Sequence, residues 1–415
     1  MPRAERDAPG IGAMVETPQG PAVEPPAGKT AGIARPQHGR PARILMVAGE
    51  ASGDMHGGDL AVRLRDELAG CEIYGIAGAR MRAAGVRDVV RIEDIAGLGL
   101  AELSATIGRT LRALGTLKAL LRGDPPDLAI LIDYAEFNLH LAATAKRCGV
   151  PVLYYILPQV WAWRRRRIGR IIQRADRLAV VFPFEAELYA QAGARVSFVG
   201  HPLLDIVRPA QDHAATLARH GFDPGTRLLA LLPGSRMGEV CQLLGPMVDA
   251  ARLLHRSHGL TPCLALAGTL DRRQVDGLRV PGLETVRIIE GDTYSIIAAS
   301  EVVLVASGTA TLEAALLERP MVIAYRMSAL SYAVGWALVR GVEFIGMPNI
   351  LAGRKVVPEL IQGAVTAANL ARAAEAMLAE PQRGATVAAL GELRRQLGSP
   401  GAAGRVARMA AELIR

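Results

Sequence analysis

The sequence predicts an α/β protein built from two doubly wound, Rossmann-like domains. From Arg43 onward, short runs of Val, Ile and Leu alternate with segments of helical periodicity. Strands that are apolar along their whole length are typical of parallel sheets covered by helices on both faces. The strand runs form two successive series, and 415 residues exceed the roughly 250–300 at which a single core stops growing. Ligands of such sheets bind at the carboxyl ends of the strands, so we expect the two domains to face each other across a binding cleft.

The apolar runs give the predicted strands and domain bounds. The first series comprises residues 44–48, 73–76, 128–133, 152–155, 178–181 and 196–199. The second series comprises residues 228–232, 264–267, 285–289, 302–305 and 321–325. We therefore expect an N-terminal domain over 43–206 and a C-terminal domain over 207–381, with a hinge near residues 200–225. The helices over 382–415 are followed by no strand, and we expect them to cover one domain or to cross back to the other.

Residues 1–42 differ in composition from the rest of the chain. They are rich in Pro, Gly, Ala and charged residues and lack apolar periodicity, which predicts a disordered tail. No uninterrupted apolar run of the kind found in signal peptides occurs there. The best candidate for a membrane span, residues 327–339, is bounded by Arg326 and Arg340 and falls short of the ~18 apolar residues that a span needs. We expect a protein that is not integral to a membrane.

Charge and cysteine content narrow the class of protein. The net charge of +8 favours an anionic partner such as phosphate, nucleic acid or acidic lipid head groups. The four cysteines form no C-x-x-C pair, which indicates neither a zinc site nor a disulfide framework and fits a reducing cytoplasm. We predict no metal and no cofactor.

The junction after residues 228–232 has the character of a diphosphate cradle. The predicted strand stops at Pro233 and Gly234 and passes through Ser235 and Arg236 into a helix that carries Glu239. Such a junction directs unpaired backbone N–H groups and the positive end of the helix dipole at one point, and an Arg fork can bind two phosphate oxygens. An ordinary strand–helix turn with a surface Arg is the alternative.

A second junction of the same kind follows residues 302–306. Its small and hydroxyl-bearing residues can cap a helix start, and an acid one turn inside the helix can accept hydrogen bonds from a ribose diol. The residues concerned are Ser307, Gly308, Thr309, Thr311 and Glu313. Two anion-receptive helix starts in one βα array predict a nucleotide diphosphate site, whereas simple capping explains at least one of the hydroxyls.

Two strands of the first series are followed by loops that contain acidic residues. Glu50 and Asp54 follow the strand at 44–48 and would repel an anion, so this loop is suited to hydroxyls or an amine. Asp133 closes the strand at 128–133, where a general base would be placed. Capping is the alternative for both loops, since Asp54 precedes a helix and Asp133 with Glu136 has the D-x-x-E spacing of a capping box.

A basic amphipathic helix is predicted between residues 100 and 121. Its apolar positions recur at helical spacing and include Leu103, Ile107, Leu111 and Leu114, with Arg109 and Arg112 nearby. Such a helix either lies in a membrane interface beside acidic lipids or packs its apolar stripe on a sheet. Residues 158–167 contain two tryptophans followed by four consecutive arginines. No nucleic-acid motif accompanies them, and we expect no nucleic-acid partner.

Nine segments in order carry a resemblance to one known family. They are AGEASGD (48–54), Asp133 with Phe137 and Asn138, PQVWAWR (158–164), FPFE (182–185), GHPL (200–203), LLPGSR (231–236) with Glu239, ASGTATLE (306–313), PMVIAYR (320–326) and PNILAGRKVVPELIQ (348–362). With these motifs the chain resembles the lipid-A-disaccharide synthases. The resemblance implies an inverting GT-B glycosyltransferase that joins UDP-2,3-diacylglucosamine to 2,3-diacylglucosamine 1-phosphate, forming the β-1,6-linked disaccharide 1-phosphate and UDP.

The resemblance also implies roles for residues. Asp133 becomes the general base for the acceptor hydroxyl, and Glu50 and Ser52 are expected to hold acceptor or sugar hydroxyls. On the donor side it adds Arg326 and Asn349 to the residues of the two junctions. On the acceptor side it implies Asp54, Asn138, Gln159, Trp161 and His201. A family whose substrates are membrane lipids favours the interfacial role for the basic helix, hence a cytoplasmic protein peripherally bound to the acidic inner-membrane surface. A homodimer is left open.

The chain departs from the family at one acidic position, and two other functions are considered. The family usually has a Pro-Asp pair where this chain has Ala135 and Glu136, which keeps the charge on a longer side chain. Another GT-B enzyme, a UDP-N-acetylglucosamine transferase or epimerase acting on a soluble sugar, would share the fold and the nucleotide site. A non-catalytic basic protein that binds RNA or membranes would instead use the arginine run at 164–167.

Overall fold

The computed structural model describes residues 40–95, 103–158, 167–327 and 343–414. These residues form two compact units. The first unit contains residues 40–202 together with 397–414, and the second contains residues 203–396. The predicted tail, apart from residues 40–42, lies outside the described residues, as do Gln159, Trp161 and the arginines at 164–166.

The first unit is a seven-stranded parallel sheet flanked by helices. Its strands are β1 (Arg43–Ala48), β2 (Glu72–Ala77), β3 (Arg87–Arg91), β4 (Leu128–Ile132), β5 (Val152–Tyr155), β6 (Arg177–Val180) and β7 (Val196–Phe198). Its helices before the second unit are α1 (Ala51–Glu67), α2 (Ala79–Ala83), α3 (Ile92–Ile95), α4 (Leu103–Gly123), α5 (Ala135–Arg147), α6 (Ile168–Arg174) and α7 (Pro183–Gln191). The strand order is β3-β2-β1-β4-β5-β6-β7. The central strands β1 and β4 are buried almost throughout, as expected for apolar strands covered on both faces.

The second unit repeats this design with six parallel strands. Its strands are β8 (Leu228–Leu232), β9 (Thr261–Leu266), β10 (Arg287–Glu290), β11 (Ser300–Ala306), β12 (Met321–Tyr325) and β13 (Glu359–Ile361). Its helices are α8 (Leu203–Ile206), α9 (His213–Arg219), α10 (Met237–His258), α11 (Arg272–Asp276), α12 (Thr293–Ala299), α13 (Thr309–Leu316), α14 (Met347–Ala352), α15 (Ala367–Leu378) and α16 (Gln382–Gln396). The strand order is β10-β9-β8-β11-β12-β13. The predicted doubly wound α/β class is confirmed.

Two strands were not predicted, and both are edge strands. β3 begins and ends with Arg and is only partly buried, and β13 has three residues. Arg and Asp take up three of the five positions of β3, and β13 has only two apolar residues, so neither forms a run that the apolar pattern detects.

The chain returns to the first unit at its end. The last helix, α17 (Ala402–Ile414), packs along α1. Arg405 fixes this return because its Nε donates to the carbonyl of Val199 at 2.8 Å. The preceding helix α16 packs on α13 and α15 of the second unit. The two C-terminal helices therefore belong to different units.

The apolar stripe of the basic helix α4 is partly buried and partly exposed. Leu114, Leu117 and Leu121 are buried in the first unit, whereas Ile107 and Leu111 are 53% and 61% exposed. The prediction that Leu114 contacts a membrane is therefore wrong, because this side chain lies on the face that packs inward. The side chain of Leu103 lies outside the described residues. Within the described residues, no helix combines the length and hydropathy that a membrane span requires.

Candidate functional site

The candidate site residues follow the strands at which each sheet reverses its order. In the first unit the order reverses between β1 and β4, and in the second between β8 and β11. Loops at the carboxyl ends of such strands bind the ligands of open α/β sheets. The acidic loops follow β1 and β4, and the two predicted nucleotide junctions follow β8 and β11.

The loops after β1 and β4 touch each other through Gly49 and Tyr134. A Cβ atom at Gly49 would lie 2.1 Å from the Tyr134 ring, so only glycine allows this contact. The Tyr134 ring also stacks on Phe137, with 4.9 Å between the ring centroids. The contact brings Glu50 close enough to Asp133 for the two carboxylates to interact electrostatically.

Asp133 has the electrostatic character of a general base. Burial and, secondarily, the negative charge of Glu50 raise the pKa of Asp133 to about 6. Both causes disfavour the ionised form, so the carboxylate above that pH holds a proton more readily than an exposed aspartate. A backbone hydrogen bond from Tyr134 opposes the rise. A carboxylate with a pKa of about 6 is mostly ionised at neutral pH.

The capping alternative for Asp133 does not match the helix that follows. The N-cap of α5 is Tyr134, in a left-handed conformation, and its side chain makes no cap hydrogen bond. Glu136, the other acid of the predicted capping box, forms an ion pair with Arg167. Asp133 therefore precedes the N-cap position that the D-x-x-E box would give it.

Asp54, predicted on the acceptor side or in the cleft, makes hydrogen bonds within the first unit. Its carboxylate accepts hydrogen bonds of 2.9–3.0 Å from the backbone N–H groups of Gly78, Arg80 and Met81 at the start of α2. The side chain is buried, and a Cβ at Gly78 would lie 2.5 Å from it. Asp54 caps α2 rather than the helix in which it lies, α1. Ser52 lies half-buried in the first turn of α1.

Two further residues predicted on the acceptor side are buried. Asn138 is fully buried and its Nδ2 donates to the carbonyls of Ile132 and Asp133. His201 is buried with its ring centroid 5.2 Å from that of Phe182. Burial lowers the pKa of His201 to about 3, with a smaller contribution from His56, so its imidazole is neutral.

The junction after β8 is held by Glu239. The Ser235 N–H donates to Glu239 Oε2 at 3.0 Å, and a Cβ at Gly234, whose φ is 129°, would lie 2.4 Å from the same oxygen. The predicted set of unpaired N–H groups is therefore smaller than expected, because Glu239 already accepts from Ser235. Arg236 lies 3.6 Å from Glu239 and is 70% exposed, which leaves its guanidinium accessible to an anion.

The junction after β11 combines accessible and buried groups. Gly308 has a φ of 153° and faces open space, and Thr309 beside it is exposed. Ser307 donates to the carbonyl of Ile345 at 3.2 Å. Thr311 is buried and its hydroxyl donates to the carbonyl of Gly308, the N-cap residue of α13, at 2.8 Å.

Glu313 lies one turn into α13, as the sequence indicated. Burial raises its pKa, and the hydroxyl of Tyr294 donates to Oε1 at 3.2 Å and opposes that rise. A partly buried carboxylate with one donor already in place retains lone pairs for a diol.

The side chains of Asn349 and Glu359 hydrogen-bond to each other and to the surrounding backbone. Asn349 is fully buried, and its Nδ2 donates to the Val357 carbonyl and to Glu359 Oε1, each at 2.8 Å. Its Oδ1 accepts from the N–H groups of Val356 and Val357. All four hydrogen-bonding positions of the amide are thus used within the protein. Arg326, at the end of β12, is exposed.

Glu359 and Gln362 were not singled out from the sequence. Glu359 accepts from the N–H groups of Ile345 and Gly346 at 2.9 Å, and Gln362 bonds Met327 through both its amide atoms. Their only signal was membership of the segment 348–362. Among the side chains that the structure describes, no group of three or more His, Cys, Asp or Glu residues could hold a metal ion.

Comparison with known proteins extends these observations. The sequence model of the lipid-A-disaccharide synthetase family matches residues 44–412. A lipid-A-disaccharide synthase of Syntrophus aciditrophicus is 46% identical over 380 residues, covering 90% of this chain and 98% of that protein. One of Geobacter metallireducens is 46% identical over 378 residues, covering 90% and 97%.

Solved structures agree on the fold. A calicheamicin glycosyltransferase is similar with a TM-score of 0.59 and 14% identity, covering 90% of this chain and 98% of that one. A putative UDP-N-acetylglucosamine 2-epimerase of Listeria monocytogenes has a TM-score of 0.56 and 16% identity, covering 90% and 96%. At this identity the likeness shows the GT-B fold alone. The sequence match, which spans nearly all of the described residues, decides the family: the chain belongs to the lipid-A-disaccharide synthetases.

Proposed function

We propose that Asp133 is the general base with which this enzyme joins UDP-2,3-diacylglucosamine to 2,3-diacylglucosamine 1-phosphate. Membership of the family makes the protein a glycosyltransferase that forms the lipid A disaccharide from a UDP-sugar and a sugar phosphate. The observation that carries the role of Asp133 is its pKa of about 6, raised by burial and by Glu50 at the end of the neighbouring strand. Asp133 accepts one backbone hydrogen bond, from Tyr134, whereas the Asp54 carboxylate accepts three from the start of α2.

The proposed reaction is a single displacement. The Asp133 carboxylate accepts the proton of the acceptor 6-hydroxyl, and the hydroxyl oxygen forms a bond to the anomeric carbon of the sugar donor. The bond from that carbon to the diphosphate breaks on the opposite face, so the configuration inverts and UDP leaves with the bonding electrons. A positioned base of this kind contributes typically ~10²–10⁴-fold to the rate.

The leaving diphosphate needs positive charge, which the junctions of the second unit supply. Arg236 is accessible at the start of α10, a helix of 22 residues, where the dipole also favours an anion. Gly308 and Thr309 present an accessible helix start at α13. Glu313 lies in that same helix and is proposed to accept from the ribose hydroxyls.

Glu50 and Ser52 are proposed to bind acceptor hydroxyls. Glu50 is exposed at the end of β1 and Ser52 is half-buried two residues later. Glu50 would then act in two ways, since it also raises the pKa of Asp133.

The substrate proposal is tested by measuring UDP release with both diacylated substrates in detergent. We expect release to require sugar donor and acceptor together and to yield one disaccharide 1-phosphate per UDP. Replacing the sugar donor by UDP-N-acetylglucosamine, which lacks the long acyl chains, is the matched control. Equal rates with the two sugar donors, or turnover of UDP-N-acetylglucosamine without an acceptor, would indicate a soluble-sugar transferase or an epimerase instead.

We further propose that α4 contacts an acidic membrane surface. Ile107 and Leu111 are one helical turn apart and exposed, and Arg112 next to them is exposed as well. Exposed apolar side chains beside basic ones favour the interface of an anionic bilayer. This contact would place the enzyme on the lipid surface that contains its substrates.

Liposome sedimentation tests the membrane contact. Ile107→Ser with Leu111→Ser should reduce binding to vesicles that contain acidic lipid, and added salt should weaken binding of the unaltered protein because it screens the basic residues. Val62→Ser is the control, since Val62 is 48% exposed on α1 and lies outside the helix in question. Equal sedimentation of the α4 double variant and the unaltered protein would rule out the contact.

A further inference from the structure

The backbone that carries Asp133 adopts an uncommon conformation. Asp133 and Tyr134 are consecutive non-glycine residues in the left-handed region, with φ angles of 48° and 46°. Asp adopts this conformation more readily than most residues, but a bulky aromatic residue rarely does. Two such residues in succession persist only where surrounding contacts hold them.

Hydrogen bonds hold the Asp133 peptide groups on both sides. The Asp133 N–H donates to the carbonyls of Tyr155 and Ile156 at 3.2 and 3.1 Å. The Asp133 carbonyl accepts from the hydroxyl of Tyr154 at 2.9 Å and from Nδ2 of Asn138 at 2.6 Å. With N–H and carbonyl both fixed, φ and ψ are fixed, and so is the direction in which the side chain leaves the backbone.

The two side chains that hold the carbonyl come from rigid and dry surroundings. Tyr154 lies on β5 and is 1% exposed, and Asn138 lies on α5 and is 0% exposed. Asn138 Nδ2 also donates to the Ile132 carbonyl at 3.2 Å, which ties the last residue of β4 to the same point. Both donors are buried, so their positions are fixed by the packing around them.

We infer that Tyr154 and Asn138 are positioning residues for the general base: they hold the Asp133 carbonyl so that the carboxylate stays beside Glu50, partly withdrawn from solvent. The inference rests on the proposed role of Asp133. Without these donors, the peptide is free to rotate toward a commoner conformation and the carboxylate becomes more solvated. A more solvated carboxylate loses its proton at lower pH and is a weaker base.

Tyr154→Phe tests the inference because it removes the hydroxyl and keeps the ring in place. We expect kcat to fall roughly 3- to 10-fold, the effect of losing one neutral hydrogen bond, with the KM for the UDP-sugar unchanged. The acid limb of the pH–rate profile should move from near pH 6 to lower pH. Tyr189→Phe is the matched control, since Tyr189 is equally buried and its hydroxyl has no hydrogen-bond partner among the described residues. It should leave both kcat and the profile as they are.

The outcomes separate this inference from the proposal on which it rests. An unchanged acid limb in Tyr154→Phe, whatever happens to kcat or to thermal stability, assigns Tyr154 a structural role only and overturns the inference. Asn138→Ser provides a second reading, because its shorter side chain cannot span to the Asp133 carbonyl, and its acid limb should move in the same direction. If Asp133→Asn retains turnover, the general base lies elsewhere and both statements fail. If Asp133→Asn is inactive while Tyr154→Phe behaves like Tyr189→Phe, only the positioning role fails.

Discussion

The loops after β1 and β4 in the first unit occupy the same topological place as the loops after β8 and β11 in the second, but they treat their carboxylates differently. Asp133 lies beside a second carboxylate, Glu50, and its pKa is raised to about 6. Glu239 and Glu313 in the second unit each accept a hydrogen bond from a neighbouring donor, the Ser235 N–H and the Tyr294 hydroxyl. One fold thus supplies a carboxylate suited to take up a proton and others suited to orient loops and ligands.

The difference shows what sets the chemistry of an acid at a strand end. Burial is the largest cause of the raised pKa at both Asp133 and Glu313. A neighbouring negative charge adds to the rise at Asp133, and a hydroxyl donor opposes it at Glu313. Burial thus sets the direction of the shift at both residues, and the neighbouring charge adds to it at Asp133 alone.

The largest expected effect is on Asp133→Asn. The amide cannot accept the acceptor hydroxyl's proton, so turnover should fall by ~10²–10⁴-fold while UDP affinity stays unchanged. The measurement is kcat at saturating concentrations of both substrates, with UDP binding by calorimetry. Glu313→Gln is the comparison variant. It should lower the affinity for the sugar donor and leave kcat unchanged. Near-normal turnover of Asp133→Asn would move the role of base to Glu50 or Glu136.

Arg236→Ala should give the next largest effect. Loss of a charge-assisted contact to the diphosphate costs about 1.5–3 kcal/mol, or roughly 10- to 150-fold in UDP affinity. Stability should change little because the side chain is exposed. Arg256→Ala, in the last turn of the same helix, controls for the loss of a positive charge. Calorimetry that gives the same UDP dissociation constant for Arg236→Ala and the unaltered protein would remove Arg236 from the site.

The raised pKa of Asp133 also makes a prediction about stability. The folded protein holds this proton up to about pH 6, whereas the ordinary value is 3.8. The stabilisation from the protonated group is therefore complete below pH 3.8 and is lost as pH rises through 6. Asp133→Asn removes the buried charge, so at pH 8 its free energy of unfolding should exceed that of the unaltered protein by about 1–3 kcal/mol. Urea unfolding measures this difference, and at pH 4 the two proteins should be equally stable. A variant less stable at pH 8 would mean that the carboxylate makes a stabilising contact instead.

The smallest effect is expected from chelation. The described residues contain no group of metal-ligating side chains, and Arg236 with the α10 helix start is available to neutralise the diphosphate. EDTA should therefore leave kcat within experimental error. If chelation abolished turnover and Mg²⁺ or Mn²⁺ restored it, a metal would share the role given to Arg236.

The sequence by itself determined the architecture and the family. Continuous apolar strands such as β1, β8 and β12 are a local property of the chain, because a strand buried on both faces needs an apolar residue at every position. The glycine-rich junctions and the ordered motifs are equally visible along the chain, so they located the strand ends that hold the candidate site. The same patterns missed β3, which begins and ends with Arg, and β13, which has three residues, because neither contains an extended apolar run.

Only the tertiary structure decided what each polar side chain at those strand ends does. Asp54 bonds backbone groups of Gly78 to Met81, and Tyr154 reaches back to the carbonyl of Asp133, so their partners are more than 20 residues away. Burial divided the α4 stripe between Leu114, inside, and Leu111, outside. A residue type and its spacing specify which hydrogen bonds and contacts are available, but the partner is chosen when distant segments pack together. That choice makes one aspartate a helix cap and leaves another as the candidate base.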